Sequence, residues 1–330
     1  MSSALESEAY WIREPGVGAL QREEFSSQLE PGTSLVESKW SAVSPGTERL
    51  VGLGQVPMAC TEFMACRYMG GSFSLPLKYG YCLVGTVLDG AQAGKSVFVM
   101  HPHQDLIAVR DEDLTVLPEE LPVQRAGLIP NLETALNAVW DAELSPEEDC
   151  VVFGAGSVGL LISYVLWNQT GRPVQIVEID EKRRAFAATL PWGVNACAPS
   201  EVLAEGLRVA FHTTGNPAGL QAALDCVDFE GRVIELSWYG SKSVTLDLGT
   251  HFHYGRKRII ASQVGKIAVS HRASHDYSQR IGEVLALLNH PKLDSLLGSP
   301  VPFKDMPQFM KSLYRGESTS PLPLIDYGKS

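Results

Sequence analysis

Three glycines near the middle of the chain follow a short apolar segment with the spacing G-x-G-x-x-G. They are Gly154, Gly156 and Gly159. In this pattern the first glycine makes a tight turn, the second lets the backbone approach a pyrophosphate, and the third lets the next helix pack on the sheet. The backbone N–H groups at the start of that helix, where Ser157 and Val158 lie, favour phosphate charge. The spacing predicts a dinucleotide-binding turn, and the alternative is a glycine-rich turn that binds nothing.

An acidic residue follows the glycine turn at the distance that a ribose-binding carboxylate requires. Glu178 lies 19 residues after Gly159, at the end of a second apolar segment. A carboxylate there can accept both ribose hydroxyls and repels a 2′-phosphate, which favours NAD over NADP. Asp180 can point to the same face, whereas Arg183 and Arg184 leave NADP possible. The alternative is that Glu178 is a solvated strand end.

Small and polar residues follow two later apolar segments. Ligands of an open parallel sheet bind beyond the carboxyl ends of its strands. We therefore expect the segments 213–215 and 237–240 to line the nicotinamide half of a cofactor, with Thr214, Gly215 and Ser237 as contacts. Thr134, near the start of a predicted helix, is a further cofactor candidate.

The elements that must position these residues alternate between strands and helices. Strand, helix and strand in sequence indicate parallel pairing with right-handed crossovers. This predicts the α/β class, with a doubly wound Rossmann sheet. The predicted strands cover residues 150–153, 174–179, 207–212, 232–236 and 258–264, and the predicted helices cover 132–141, 158–167, 181–190 and 220–226.

The first 120 residues have a different pattern. Short apolar runs at 81–88, 96–100 and 106–109 are separated by turn residues, which predicts a compact barrel or sandwich. Near the end of the chain, residues 281–288 have the spacing of an amphipathic helix. Residues 320–327 predict a closing strand that packs back on the first domain.

Composition limits the partners and the location. A chain of 330 residues is long enough for two domains, and its net charge of -11 disfavours nucleic acid, whose phosphates would be repelled. The longest apolar stretch, 158–167, is about half of what a bilayer span needs. The N-terminus lacks a signal-peptide pattern, and none of the six cysteines form a CxxC pair. We expect a cytoplasmic protein that acts on a small molecule.

Several strings of residues carry a family resemblance: 44–48, 78–81, 101–104, 131–135, 139–141, 235–240 and 262–265. The order of a β-rich domain, a Rossmann domain and a return segment resembles the medium-chain dehydrogenase/reductase, or alcohol dehydrogenase-like, superfamily. The strings are similar to its hydroxyethyl bacteriochlorophyllide a dehydrogenase family, which oxidises a secondary alcohol on a tetrapyrrole to an acetyl group with NAD.

The resemblance also implies a domain organisation. A GroES-like catalytic domain would cover 1–131 and a Rossmann domain 132–265. The segment 266–330 would return to pack on the catalytic domain. A possible homodimer would pair through the sheet edge near 232–258.

The chain departs from the zinc enzymes of this superfamily. At the three zinc-ligand positions the resemblance places Ser44, Tyr81 and Pro130, and the lobe with four close cysteines is absent. Serine, tyrosine and proline do not supply the thiolate, imidazole or carboxylate ligands that zinc prefers. We therefore expect no catalytic zinc. A weaker metal alternative combines His101 and His103 with Cys60, Cys66 or Cys82.

Without zinc, side chains must handle the hydroxyl proton of an alcohol substrate. The Tyr81 hydroxyl can face the substrate oxygen, and Lys78 can lower its pKa. His103 suits a proton relay. Glu48 and Glu133 can orient these groups.

Each of the five candidates has a structural alternative. Tyr81 can be a core aromatic residue whose hydroxyl bonds locally, and His103 can be structural. Lys78 can be a surface charge, Glu133 can complement a helix dipole, and Glu48 can pair locally.

The sequence thus predicts an NAD-dependent oxidoreductase that interconverts a secondary alcohol and a ketone without zinc. Aromatic and apolar residues in 63–73 and at 238–239 suit a tetrapyrrole-like or other hydrophobic substrate. Two alternatives stay open. One is an NADPH-dependent enone or quinone reductase, and the other is a non-catalytic dinucleotide-binding protein.

Overall fold

A computed structural model of the protein describes residues 4–145, 147–202, 206–317 and 321–328. Backbone contacts divide the chain into two compact units. The first unit comprises Met1–Pro130 and Leu296–Ser330, and the second unit comprises Asn131–Ser295.

Strands and helices occur in both units. The strands are β1 (Ala4–Glu14), β2 (Val17–Ser26), β3 (Thr33–Ala42), β4 (Gly70–Gly71), β5 (Leu77–Lys78), β6 (Leu83–Val87), β7 (Ser96–Val99), β8 (Leu106–Arg110), β9 (Thr115–Val116), β10 (Cys150–Phe153), β11 (Val174–Val177), β12 (Val194–Cys197), β13 (Leu207–His212), β14 (Val227–Glu235), β15 (Arg258–Ala261), β16 (Val301–Pro302) and β17 (Leu324–Asp326). The α-helices are α1 (Pro45–Gly52), α2 (Thr61–Met64), α3 (Ile129–Ala142), α4 (Ser157–Thr170), α5 (Glu181–Ala188), α6 (Pro217–Cys226), α7 (His251–Tyr254), α8 (Tyr277–Leu288) and α9 (Met306–Arg315). In the part of the chain that the structure describes, none of these helices is long and apolar enough to cross a membrane.

Mostly antiparallel sheets build the first unit. One has the strand order β2-β1-β5-β4, and the other has the order β16-β17-β3-β6-β7-β9, with β8 also paired to β3. Alternate residues along a strand point to one face of a sheet, and here they form an apolar cluster: Val36, Leu83, Val87, Val97, Val99, Ile107 and Val109. The predicted β-rich character of the first 120 residues is confirmed.

A parallel sheet forms the centre of the second unit. Its order is β12-β11-β10-β13-β14-β15, and every neighbouring pair is parallel. The strand order reverses direction between β10 and β13, which is where an open sheet of this type binds its ligand. The predicted Rossmann-type α/β sheet is therefore confirmed.

Local capping explains one difference between predicted and observed helix bounds. The predicted helix 220–226 begins earlier, at Pro217, because Asn216 accepts a hydrogen bond of 2.9 Å from the backbone N–H of Ala218. An asparagine in this position satisfies a free amide of the first turn. The proline at the first helical position has no N–H that needs a partner.

The return segment begins later than the predicted residue 266. Residues up to Ser295 belong to the second unit. Helix α8 packs in that unit through the buried side chains of Val284 and Leu288. The Tyr164 hydroxyl also donates a hydrogen bond of 2.8 Å to the Leu287 carbonyl. The closing strand is β17, which pairs with β3. Ser320, the predicted start of that strand, lies outside the described residues.

A buried arginine holds α8 on α3. Arg280 is 2% exposed, and its guanidinium lies 2.8 Å from the Glu133 carboxylate. It also donates to the Asn137 side chain and to the Val264 carbonyl, at 2.7 Å in each case. Removing one partner of a buried ion pair leaves an uncompensated charge and is strongly destabilising.

We expect Arg280→Met to lower the free energy of unfolding of the second unit by about 3 kcal/mol, because Glu133 would stay buried without its partner. Denaturant unfolding followed by fluorescence measures the change. Arg256→Met is the matched control, since the Arg256–Glu230 pair is exposed on both sides and should contribute at most about 1 kcal/mol. Equal losses in the two variants would contradict this role for Arg280.

Candidate functional site

The glycine turn at the end of β10 is shaped by the three predicted glycines. Gly154 has a φ of +108°, which side chains rarely permit, and a Cβ there would lie 2.6 Å from Thr213 Oγ1. A Cβ on Gly159 would collide with the Gly154 carbonyl, so α4 can approach the turn only with glycine there. A Cβ on Gly156 would meet nothing within 4 Å. The turn is therefore tight on its protein side and open at Gly156, where a diphosphate is expected.

The N-terminus of α4 lies directly after this turn. Ser157 and Val158 are its first two residues, and Gly156 precedes it in an extended conformation. The amides of a first helical turn have no partner within the helix and favour anions. The structure thus places both residues where the sequence predicts phosphate contacts.

Glu178 follows β11 and reaches back to the glycine turn. Its side chain accepts 2.8 Å and 2.9 Å hydrogen bonds from the backbone N–H groups of Ala155 and Asp180, and the residue is 7% exposed. A carboxylate has about four acceptor positions, so these two bonds orient it and leave it able to accept more. The sequence predicted its place but not the bond to Ala155.

The side chains of Asp180 and Arg184 form hydrogen bonds with the backbone at the start of α5. Asp180 is the N-cap residue and accepts a hydrogen bond from the Arg183 amide at 2.8 Å. The Arg184 guanidinium donates to the backbone carbonyls of Glu178 and Ile179. The side chain of Asp180 therefore has a structural role beside Glu178.

The predicted nicotinamide-side loops follow β13 and β14. Ser237 Oγ accepts a 2.9 Å hydrogen bond from the Gly215 amide, which joins the two loops. Thr214 Oγ1 lies 2.6 Å from His212 Nε2. Thr134 lies on α3 and is partly buried.

Two residues of this region escaped the sequence analysis. His212 and Glu235 are the last residues of β13 and β14 and face each other in register. Their side chains form an ion pair of 2.8 Å if His212 is protonated. A polar residue at the last position of each of two buried strands is the signal that could have revealed them.

In the first unit, Glu48 and His103 form a buried pair. His103 is fully buried and Glu48 is 3% exposed, and His103 Nε2 lies 2.9 Å from the carboxylate. The other oxygen of Glu48 accepts the Ser44 amide at 2.7 Å, at the start of α1. His103 Nδ1 lies 2.7 Å from Ser41 Oγ, which lies 3.0 Å from the Tyr327 hydroxyl. The structure thus brings two predicted candidates together and adds Ser41 and Tyr327, which the sequence did not indicate.

Tyr81 lies near this pair and is partly buried. Burial, and then the Glu48 carboxylate, raise the pKa of Tyr81 well above its ordinary value, although hydrogen bonds with Ser44 and Thr47 lower it in part. Its hydroxyl is protonated at neutral pH, as that of an ordinary tyrosine is, and it can donate a hydrogen bond.

Lys78 does not have the predicted effect on Tyr81. Its ammonium donates to Glu23 at 2.6 Å and to the Gln104 side chain at 2.8 Å, and it lies over the Trp11 ring. The expectation that Lys78 lowers the pKa of Tyr81 is wrong, because Lys78 is not among the groups that shift this pKa and its ammonium is paired with Glu23 of β2. The alternative of a surface charge is also wrong, since Lys78 is 9% exposed.

Glu133 has a partner in the second unit. Its carboxylate is bound by Arg280, and burial raises the pKa of Glu133 against the opposing effect of that arginine. The structure therefore gives Glu133 a role in packing α8 on α3.

A zinc ion does not fit the residues at the expected ligand positions. No three histidine, cysteine, aspartate or glutamate side chains come together as a metal site in the described ranges. Both nitrogens of His103 already have hydrogen-bond partners. The Cys82 thiol donates to the Gly127 carbonyl, and burial raises its pKa to about 12.

His101 and Cys66, which the weaker metal alternative combines, both have shifted pKa values. Burial lowers the pKa of His101 to about 3, and its Nδ1 lies 2.8 Å from the Pro102 carbonyl. Burial also raises the pKa of the Cys66 thiol to about 11.

Comparison of the sequence with family models gave no match. An alignment of 143 positions with (R,R)-butanediol dehydrogenase from Bacillus subtilis is 30% identical, and it covers 40% of this chain and 41% of that protein. Matches to the first curated relatives span about half of their length or less.

Solved structures match over nearly the whole chain. The crystal structure of the Bacillus subtilis 2R,3R-butanediol dehydrogenase has a TM-score of 0.74 at 18% identity, covering 97% of this chain and 99% of that one. Two further structures have TM-scores of 0.74 at 14% identity, covering 98% of this chain and 99% of theirs. One is an alcohol dehydrogenase from Escherichia coli CFT073 complexed with NADH, and the other is a dehydrogenase from Sinorhizobium meliloti 1021, assigned as zinc-binding, bound to NADP.

At such identities the structural likeness establishes the fold, while the matched sequence segments add an independent similarity to dehydrogenases. The chain thus has the fold of the medium-chain alcohol dehydrogenases, and parts of its sequence are similar to zinc-type alcohol dehydrogenase-like proteins.

Proposed function

We propose that this protein is an NAD-dependent oxidoreductase that interconverts a secondary alcohol and a ketone without catalytic zinc. The observation that carries the proposal is the Glu178 carboxylate, which is held against the glycine turn by the Ala155 amide. A carboxylate fixed there can accept hydrogen bonds from the adenosine ribose.

The same carboxylate supports NAD over NADP. A 2′-phosphate would lie beside the buried negative charge of Glu178, and like charges at short range repel. Arg184 donates to backbone carbonyls, so one of the two arginines that left NADP possible is already engaged.

The proton is handled by residues of the first unit. A bound nicotinamide ring supplies the hydride donor or acceptor. Tyr81, whose raised pKa keeps it protonated, donates a hydrogen bond to the oxygen of a ketone substrate and stabilises negative charge that develops there. In ketone reduction the hydride goes to the carbonyl carbon and the Tyr81 proton goes to its oxygen, and water reprotonates the partly exposed phenol. Alcohol oxidation reverses these steps. Glu48 and His103 form a neighbouring buried pair, and Ser41 and Tyr327 extend its chain of hydrogen bonds.

The residue types around Tyr81 support catalysis without zinc. Ser44, Tyr81 and Pro130 occupy the positions at which the resemblance expects ligands. Hydrogen-bond donors can replace a Lewis acid at a carbonyl oxygen when they are held in place. No step of the proposed reaction passes through a metal.

A secondary alcohol is the proposed substrate class. Butanediol, named for the Bacillus subtilis relative, carries its hydroxyls on secondary carbons at positions 2 and 3. The strings shared with the bacteriochlorophyllide family make a tetrapyrrole hydroxyethyl group one candidate. A second copy of the chain is the proposed partner, because β15 lies at the edge of its sheet and carries exposed Ile259.

We expect Glu178→Gln to weaken NADH binding roughly tenfold and to narrow the preference for NADH over NADPH, because it removes the charge but keeps the shape. Calorimetric titration with both cofactors measures this. Glu181→Gln, an exposed change on α5, is the control and should behave as the wild type. An unchanged ratio of the two affinities would remove Glu178 from cofactor selection, and a clear wild-type preference for NADPH would favour the enone or quinone reductase.

Tyr81→Phe should reduce kcat with a secondary alcohol or its ketone by roughly 100-fold, because the donor to the substrate oxygen is lost. NADH affinity should not change. Tyr79→Phe is the matched control, since its hydroxyl contacts the Met64 carbonyl at 3.4 Å. Turnover that survives in Tyr81→Phe would exclude this tyrosine, and no turnover by the wild type on any alcohol or ketone would favour the non-catalytic alternative.

Treatment with a strong chelator should leave turnover unchanged, and elemental analysis of the purified protein should find far less than one zinc per chain. The reason is the lack of a suitable set of ligands near Tyr81. Activity that disappears on chelation and returns with zinc would overturn the metal-free proposal.

A further inference from the structure

The carboxyl ends of β13 and β14 carry a hydrogen-bonded cluster that the proposed reaction has not used. His212 is fully buried, and its Nδ1 lies 3.0 Å and 2.8 Å from the two oxygens of Glu235. The same carboxylate accepts the Ser237 amide at 2.6 Å and the Tyr239 hydroxyl at 3.2 Å. Three donors therefore converge on one carboxylate.

Hydrogen bonds from this cluster also hold the loop after β13 in place. His212 Nε2 lies 2.6 Å from Thr214 Oγ1, which accepts the Asn216 amide at 3.1 Å. Ser237 Oγ accepts the Gly215 amide at 2.9 Å. The two loops are thus fixed both to the strand ends and to each other.

The stability of the fold does not by itself account for the His212–Glu235 pair. A histidine and a carboxylate at a buried site lose hydration, and well-packed apolar residues of similar size are often equally stable there. The rest of the surrounding core is apolar, with Phe153, Ala210 and Val233 among its members. A polar cluster at the ligand-binding edge of such a sheet suggests a role in positioning.

The strand order tells which half of a dinucleotide would meet these loops. Glu178 follows β11, the glycine turn follows β10, and β13 and β14 continue on the other side of β10. Thr213 Oγ1 donates to the Phe153 carbonyl at 2.9 Å and so links the first loop to the glycine turn. A dinucleotide with its adenosine ribose at Glu178 and its diphosphate at the turn extends its second half toward β13 and β14.

We propose that His212 and Glu235 are positioning residues that hold the loops at Thr214–Gly215 and Ser237 in the form that binds the nicotinamide half of the cofactor. This inference rests on the proposed function, because it needs a nicotinamide dinucleotide on the sheet. It assigns the two residues no contact with the cofactor themselves.

The test compares two ligands that differ by the nicotinamide group. NADH and ADP-ribose are titrated calorimetrically into the wild type, Glu235→Gln and His212→Leu. We expect about a tenfold loss of NADH affinity in each variant, the size expected for hydrogen bonds to a charged group, and no change for ADP-ribose. Glu230→Gln is the control, because Glu230 lies earlier on the same strand, and its side chain is 47% exposed and pairs with Arg256.

Two further variants keep the test decisive if a substitution in the buried pair prevents folding. His212→Asn can retain a donor toward Glu235 and should recover most of the NADH affinity that His212→Leu loses. Ser237→Ala removes the acceptor of the Gly215 amide and should weaken NADH but not ADP-ribose.

The outcomes separate this inference from the proposed function. If all variants bind NADH as the wild type does, or lose NADH and ADP-ribose affinity in equal proportion, the positioning role is overturned while the proposed function stands. A wild type that binds neither ligand overturns the proposed function and the inference with it.

Discussion

The hydrogen bond from the Ala155 amide to the Glu178 carboxylate is the constraint on which the cofactor region depends. It joins the ends of two neighbouring parallel strands, β10 and β11, and fixes a negative charge beside a glycine turn. The turn permits this approach because Gly154 adopts a positive φ and Gly159 lets α4 lie close to it. The Asp180 amide holds the same carboxylate, so two backbone donors fix its orientation.

Two carboxylates at the carboxyl-terminal edge of the parallel sheet, Glu178 and Glu235, are each oriented by several hydrogen-bond donors. On one side of β10, backbone amides orient Glu178, and on the other side, His212 and backbone and phenol donors orient Glu235. A carboxylate held by several donors has few conformations left, so it loses little entropy when a ligand binds. Both carboxylates at this edge of the sheet are therefore held in place by the protein itself.

The first unit keeps its titratable groups in a different environment. Glu48 and His103 are almost fully buried, with a serine and a tyrosine continuing the chain of hydrogen bonds. Such a pair in an apolar surrounding is costly unless every polar atom has a partner. Burial, and then the Glu48 carboxylate, raise the pKa of the nearby Tyr81 phenol, so this phenol is a weaker acid than a tyrosine in water.

The sequence by itself determined the parallel sheet, the glycine turn and the place of Glu178, because backbone geometry and strand periodicity are local properties that leave a direct pattern. It also indicated Tyr81 through a resemblance, and His103 and Glu48 through the chemistry of their side chains. Only the tertiary structure decided their partners. It brought His103 to Glu48 from 55 residues away, paired Lys78 with Glu23 instead of Tyr81, kept α8 in the second unit through Arg280, and set His212 beside Glu235. These contacts join residues that are distant in sequence, and no local pattern encodes which of several polar side chains will meet in a buried space.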